Sequence, residues 1–123
     1  MIGPTLIMGA STKPFRFSYK LTERLSANGY KIYCIGKNPG SVFGVDIMTG
    51  MPDLEQIHTI SLYLNPKNQE EYYDYFLKLA PERVIFNPGT YNPILKKLLN
   101  DNGIRTIEEC SLVLLSMNEY ETR

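Results

Sequence analysis

The residues best placed to do chemistry are Gly9, Ala10 and Ser11, followed at short spacing by Lys13, Arg16 and Ser18. The apolar run Thr5-Leu6-Ile7-Met8 leads into them and a helical pattern follows, so they occupy a turn from strand to helix. At such a turn, small residues let backbone N–H groups approach a phosphate, and the unpaired amides and dipole of the helix start favour an anion. Ser11 and Ser18 can add hydroxyl donors, while Lys13 and Arg16 add charge, a guanidinium fork being well matched to phosphate oxygens. The same residues would also serve as an ordinary turn with solvated basic side chains. The pattern is not the dinucleotide-binding GxGxxG, because Ser11 and Pro14 stand where its second and third glycines belong.

Lys37, Asn38 and Pro39 follow the next apolar run, Lys31–Ile35. A site for NAD carries an Asp or Glu at that place to hold the ribose hydroxyls. A cation suits a phosphorylated ribose better, which favours coenzyme A, with its 3′-phosphate, or NADP. The bland reading of Lys37 is a solvated loop lysine. Asn65, Pro88 and Gly89 sit in later loops that reach the same rim and complete the candidate binding set.

Catalytic readings find less support. Cys110 is the best nucleophile candidate, yet the single His, His58, precedes a strand and belongs at the opposite, amino end of the sheet. Glu109 beside Cys110 reads as loop structure or a helix cap, Cys110 as a small semi-buried apolar residue, and Cys34 as core. There is no GxxxxGK[ST] motif and no cluster with metal-ligand spacing, and Asp46 and Asp53 are isolated carboxylates. The residues therefore point to binding without catalytic apparatus.

The elements that must position these groups alternate. After the first strand, a helix from about Arg16 to Asn28 is expected, with Phe17, Leu21 and Leu25 on its sheet-facing side and Gly29 as its stop. Lys31–Ile35 reads as a strand, Val42–Ile47 as a short edge strand bending at Gly44, and Pro52–Ile57 as a short helix. Thr59–Leu64 reads as a strand, and Asn68 with Glu71 as the capping box of a helix carrying Tyr72, Phe76, Leu79 and Ala80 up to Pro81. Arg83–Phe86 is a strand, Asn92-Pro93 a cap and first-turn proline for a helix ending at Gly103, Ile104–Ile107 the last strand, and Ser111–Tyr120 a closing helix. This alternation predicts an α/β, three-layer Rossmann-like fold: a largely parallel sheet of about five strands with helices on both faces. Its ligand crevice would lie beyond the carboxyl ends of the strands.

Bulk properties are consistent with one domain spanning residues 1–123. Apolar residues make up 43% and charged residues 21%, as in an ordinary globular protein. Thirteen Lys and Arg balance thirteen Asp and Glu without a basic stripe, which argues against a nucleic-acid partner. The amino-terminal apolar run is short and lacks a basic leader, so it reads as a strand of a cytoplasmic protein and not as an export signal or membrane span. Two cysteines without a framework fit a reducing compartment. The nine tyrosines, including Tyr72, Tyr73 and Tyr75, could pack on the sheet or on a second copy of the chain.

In order and spacing, from Leu6 to Cys110, the chain resembles the small stand-alone CoA-binding domain family, related in fold to the nucleotide-binding domain of succinyl-CoA ligase alpha subunits and of ADP-forming acyl-CoA synthetases. The likeness rests on Gly9-Ala10-Ser11, Arg16 before Ser18-Tyr19, Asn38-Pro39 after the second strand, Gly44, Pro88-Gly89 with Asn92, and Glu109-Cys110. The chain departs from the family at Leu64-Asn65, where many members carry Phe-Arg, at Phe86-Asn87-Pro88 in place of Trp-Leu-Gln, and at Glu108-Glu109-Cys110 in place of Asp-Arg-Cys. Two of these changes remove a cation near the cleft. The resemblance implies that Gly9 to Ser11 and Arg16 lie near phosphate and that Asn38-Pro39 shape the adenosine side. The expected role is non-catalytic binding of CoA, acyl-CoA or a related phosphorylated nucleotide, with a homodimer or an acyl-CoA-using protein as a further partner. The alternatives are a small NADP-dependent oxidoreductase and an interaction protein with a vestigial nucleotide pocket.

Overall fold

A computed structural model describes all 123 residues. Seven strands form one sheet in the order β3-β4-β2-β1-β5-β6-β7. They are β1 (Thr5–Met8), β2 (Ile32–Ile35), β3 (Gly40–Val42), β4 (Val45–Met48), β5 (Thr59–Leu62), β6 (Arg83–Phe86) and β7 (Arg105–Ile107). All neighbours pair in parallel except β3 with β4. The five principal strands stand where the apolar runs place them, and the sheet gains two members because Val42–Ile47 is a hairpin and not one bent strand. Phe43 and Gly44 both take positive φ, 50° and 77°, the backbone that a two-residue hairpin turn demands.

The helices are α1 (Phe17–Ala27), α2 (Pro66–Gln69), α3 (Tyr73–Leu79), α4 (Pro93–Asp101) and α5 (Ser111–Ser116), with a 3-10 turn (Glu70–Tyr72) between α2 and α3. Strand residues alternate between two cores. Leu6, Met8, Ile60, Leu62 and Phe86 pack with Phe76, Leu95 and Leu99 on the face covered by α3 and α4. Ile7, Cys34, Ile47 and Ile85 pack with Leu21, Leu25 and Leu114 under α1 and α5. The result is the expected three-layer arrangement, in which a parallel sheet is buried on both faces. No helix is long and apolar enough to cross a membrane.

Several local expectations are corrected. Pro52–Ile57 is not helical. The cap of α2 is Asn65, whose Oδ1 accepts from the Asn68 amide at 2.9 Å with Pro66 at the first helical position, and Asn68 lies inside the helix. Reading the β5 strand through Leu64 had hidden this cap. Ala80 leaves the helix in a left-handed conformation with φ 46° and ends α3. Phe17 is off the core face: α1 buries Ser18, Leu21, Thr22 and Leu25, and Phe17 is 63% exposed. The closing helix stops at Ser116, and Tyr120 is buried beyond it.

The amino end of the sheet is closed by a polar knot. Arg83 is fully buried; its Nε donates to Thr59 Oγ1 and its Nη1 to the Arg123 carbonyl, both at 2.8 Å, and its guanidinium stacks on Tyr120. His58 continues this chain, with Nδ1 2.8 Å from Thr59 Oγ1 and Nε2 3.0 Å from Glu82. An ionised Glu82 can only accept, so His58 Nε2 carries the proton, and in the neutral ring Nδ1 accepts from the Thr59 hydroxyl. Burial, and then the nearby Arg83 charge, hold the His58 pKa below its usual value. The unfolded chain therefore takes up a proton that the folded chain resists, so the stabilisation present above the unfolded pKa is lost as pH falls through the folded one. Chemical denaturation between about pH 7.5 and about pH 5 should show a steeper loss of stability for the wild type than for His58→Gln. Equal slopes would contradict this account of His58.

Candidate functional site

The chain leaves β1 toward β2 on one side and returns to pair β5 on the other, so the strand order reverses between β1 and β5. At this switch point the loops beyond the carboxyl ends diverge and leave a crevice. It is an open cleft of about 650 Å³, within the usual range for small-molecule sites.

Two glycines set the close approach of the loops around it. Gly9 has φ 91°, and a Cβ there would meet the Tyr63 carbonyl oxygen at 2.9 Å. Gly36 lies directly against the Ala10 carbonyl, and a Cβ would collide with that oxygen and with Ile47. The amides of Gly9 and Ala10 both donate to the Ile35 carbonyl, at 2.9 and 3.0 Å. These two amides therefore pin the first loop to the second and are not free for a phosphate, which corrects the expectation drawn from Gly9-Ala10-Ser11. The amides that remain are those of Ser11 and Thr12, which have no partner within the chain, and of the first turn of α1. Arg16 is the N-cap residue of α1 and provides no side-chain cap.

The twelve residues singled out from sequence, Gly9, Ala10, Ser11, Lys13, Arg16, Ser18, Lys37, Asn38, Pro39, Asn65, Pro88 and Gly89, all line this one cleft, together with Thr12, Phe17, Tyr63, Leu64 and Thr90. No Asp or Glu lies among them. Lys13, Arg16 and Lys37 have no ion-pair partner. The chain is neutral as a whole, yet three uncompensated cations share one concave surface, and low-dielectric walls strengthen the field there. Asn65 lines the cleft while its Oδ1 is engaged in capping α2.

Buried polar residues hold the far wall. Asn87 donates to Ser61 Oγ and the Leu62 carbonyl and accepts from the Ser111 amide, each at 2.8 Å. Gln69, fully buried, donates to the carbonyls of Leu64 and Thr90, and Asn92 donates to Gln69 while capping α4. These bonds lock the β5 and β6 loops together. Tyr63 contributes a buried hydroxyl without a partner, and burial pushes its pKa up. Burial likewise raises the Cys34 thiol to about 11. Cys110, half-buried after β7, and His58, before β5, lie at opposite ends of the sheet. No three His, Cys, Asp or Glu side chains are grouped so as to hold a metal ion.

Comparison with known proteins bears on both family and fold. The model of a family described as "CoA binding domain" matches residues 4–116. A crystal structure described as that of an uncharacterized protein is 41% identical, with a TM-score of 0.93 over 97% of this chain and 98% of that one. A Thermus thermophilus protein, cell-free ID.343, shares the fold at 20% identity and a TM-score of 0.86, over 94% of this chain and 90% of that one. The dinucleotide-forming acetyl-coenzyme A synthetase 1 of Ca. Korarchaeum cryptofilum, solved with phosphate and ADP, shares it at 14% identity and a TM-score of 0.73; the match takes in 87% of this chain and 25% of that one. No curated protein matches the sequence.

Gly36→Ala tests the contact between the β1 and β2 loops. Backbone and Ile47 leave the methyl no room, so the variant should lose about 1–3 kcal/mol of stability, the usual effect of overpacking. Unfolding in urea measures it, and a variant as stable as the wild type would contradict the close approach of the two loops.

Proposed function

The chain belongs to the CoA binding domain family, and from that membership we propose that it binds coenzyme A, or a closely related phosphorylated nucleotide, in the cleft at the carboxyl ends of β1, β2, β5 and β6, without catalysing a reaction on it. The observation that carries this reading is the convergence of Lys13, Arg16 and Lys37 on a cleft with no carboxylate in its lining. Such a site favours a ligand bearing several negative charges and disfavours a bare ribose, whose hydroxyls call for an acidic partner.

In this reading Arg16, the Ser11 and Thr12 amides and the start of α1 hold the pyrophosphate. A guanidinium supplies paired donors, and the helix dipole adds favourable potential. Lys37, just beyond β2, holds the 3′-phosphate, with Asn38 and Pro39 against the adenosine. The fit is supported by the uncapped helix start and by the two glycine positions at which the loops meet. The distance along the sheet between Cys110 and the only imidazole supports a binding role over acyl transfer. Two free cysteines fit a cytoplasmic setting, and the further partner in this reading is a second copy of the chain or an acyl-CoA-using protein.

Titration calorimetry with CoA, dephospho-CoA, NADP and NAD tests the proposal. CoA should bind tightest, and loss of the 3′-phosphate should weaken binding by about tenfold or more, the effect of one charge-assisted contact. Lys37→Ala should abolish that discrimination. Arg16→Ala should weaken CoA by a similar factor while leaving thermal stability unchanged, since Arg16 has no ion-pair partner to lose. Tighter binding of NADP than of CoA would favour an oxidoreductase, and indifference to all four ligands would sink the proposal in favour of an interaction protein.

A further inference from the structure

Phe17 is an aromatic ring without a packing role. It opens α1 at the spacing of Leu21 and Leu25, yet the core takes Ser18, Leu21, Thr22 and Leu25 and leaves its ring 63% exposed. Lys20, one turn along, places its ammonium 5.2 Å from the ring centroid, and the ring lines the same cleft as Arg16. A solvent-facing phenyl group is unremarkable alone. Here it shares the cleft with Arg16, whose guanidinium lies over the neighbouring Phe15 ring, so a ligand whose phosphates reach Arg16 can cover Phe17 with an apolar group bonded close to a phosphoryl group.

The two ends of the ligand can be told apart by the shape of the site. A second hollow of about 290 Å³ opens from the cleft, sharing Gly9, Lys37 and Leu64 with it. Met8, Ile35 and Tyr72, residues of the core under α3 and α4, line it together with Gly36, Asn68 and Glu71. Phe17 rises from α1, on the other face of the sheet. An adenosine lying against Asn38 and Pro39, with its base turned past Lys37 into the hollow, would send the rest of the ligand across the cations toward Phe17. In CoA the group met there is the branched dimethyl carbon of the pantoyl unit, one methylene beyond the phosphate ester oxygen.

Resting on the CoA reading above, we propose that Phe17 is a specificity residue which packs against the pantoyl methyl groups, so that the cleft selects for the arm of CoA as well as for its phosphates. The ring contributes nothing to the adenosine end.

The experiment compares CoA with adenosine 3′,5′-bisphosphate, which lacks the arm, on the wild type, Phe17→Ala and Phe17→Tyr, by calorimetry. Phe17→Ala should weaken CoA about fivefold and leave adenosine 3′,5′-bisphosphate unchanged, and Phe17→Tyr should retain wild-type selectivity, as expected for loss and retention of one apolar contact. Equal weakening of both ligands by Phe17→Ala would overturn the assignment by placing the ring against base or phosphate. Unchanged CoA affinity in Phe17→Ala would overturn it while leaving the CoA reading intact. A wild type that binds neither ligand would remove the CoA reading itself and the proposal with it.

Discussion

Everything at the carboxyl rim depends on how closely the β1 loop approaches the β2 loop. Gly9 and Ala10 give both amides to the Ile35 carbonyl, and Gly36 lies against the Ala10 carbonyl with no space for a side chain. Backbone held to backbone in this way cannot drift as two surface loops otherwise would. Lys13 and Arg16 from one loop and Lys37 from the other are thereby turned onto a common surface. The cost is that two amides are spent on structure, which leaves anion recognition to Ser11, Thr12, the start of α1 and the cations.

The opposite wall is built differently. There, side chains and not close backbone contact do the fixing: Asn87 ties β5 and β6 to the start of α5, and Gln69 ties the β5 loop to the β6 loop. Buried amide groups with every bond made are rigid, because breaking one bond strands a polar atom out of reach of water. The far end of the sheet carries its own polar knot at Arg83 and His58, apart from the three cations that face the cleft. Such a division lets the cleft keep like charges together without unfolding the sheet.

The sequence made the frame legible because its signals are local. Apolar runs ended by Gly or Asn mark four of the five principal strands and one ended by Glu108 the fifth, and Asn92-Pro93 names its own helix start, as Asn92 does in the structure. The cleft lining was legible too, since the carboxyl-end loops of a parallel sheet must share one rim whatever their composition. What was hidden depends on long-range contact. Gln69 and Asn87 read like any exposed polar residue, and only the folded chain shows them buried and bonded. The hairpin at Phe43-Gly44 rests on a non-glycine residue at positive φ, which sequence disfavours. Phe17 follows the helical period yet faces outward, the buried positions of α1 going to Ser18, Leu21, Thr22 and Leu25.

The most direct test of the cleft is an amide-resolved NMR titration with CoA. Binding there should move the signals of Ser11, Thr12, Phe17, Ser18 and Lys37 most and leave His58 and Arg83, at the far end of the sheet, unmoved. Shifts centred on that far end or on α4, or none at millimolar CoA, would contradict the account.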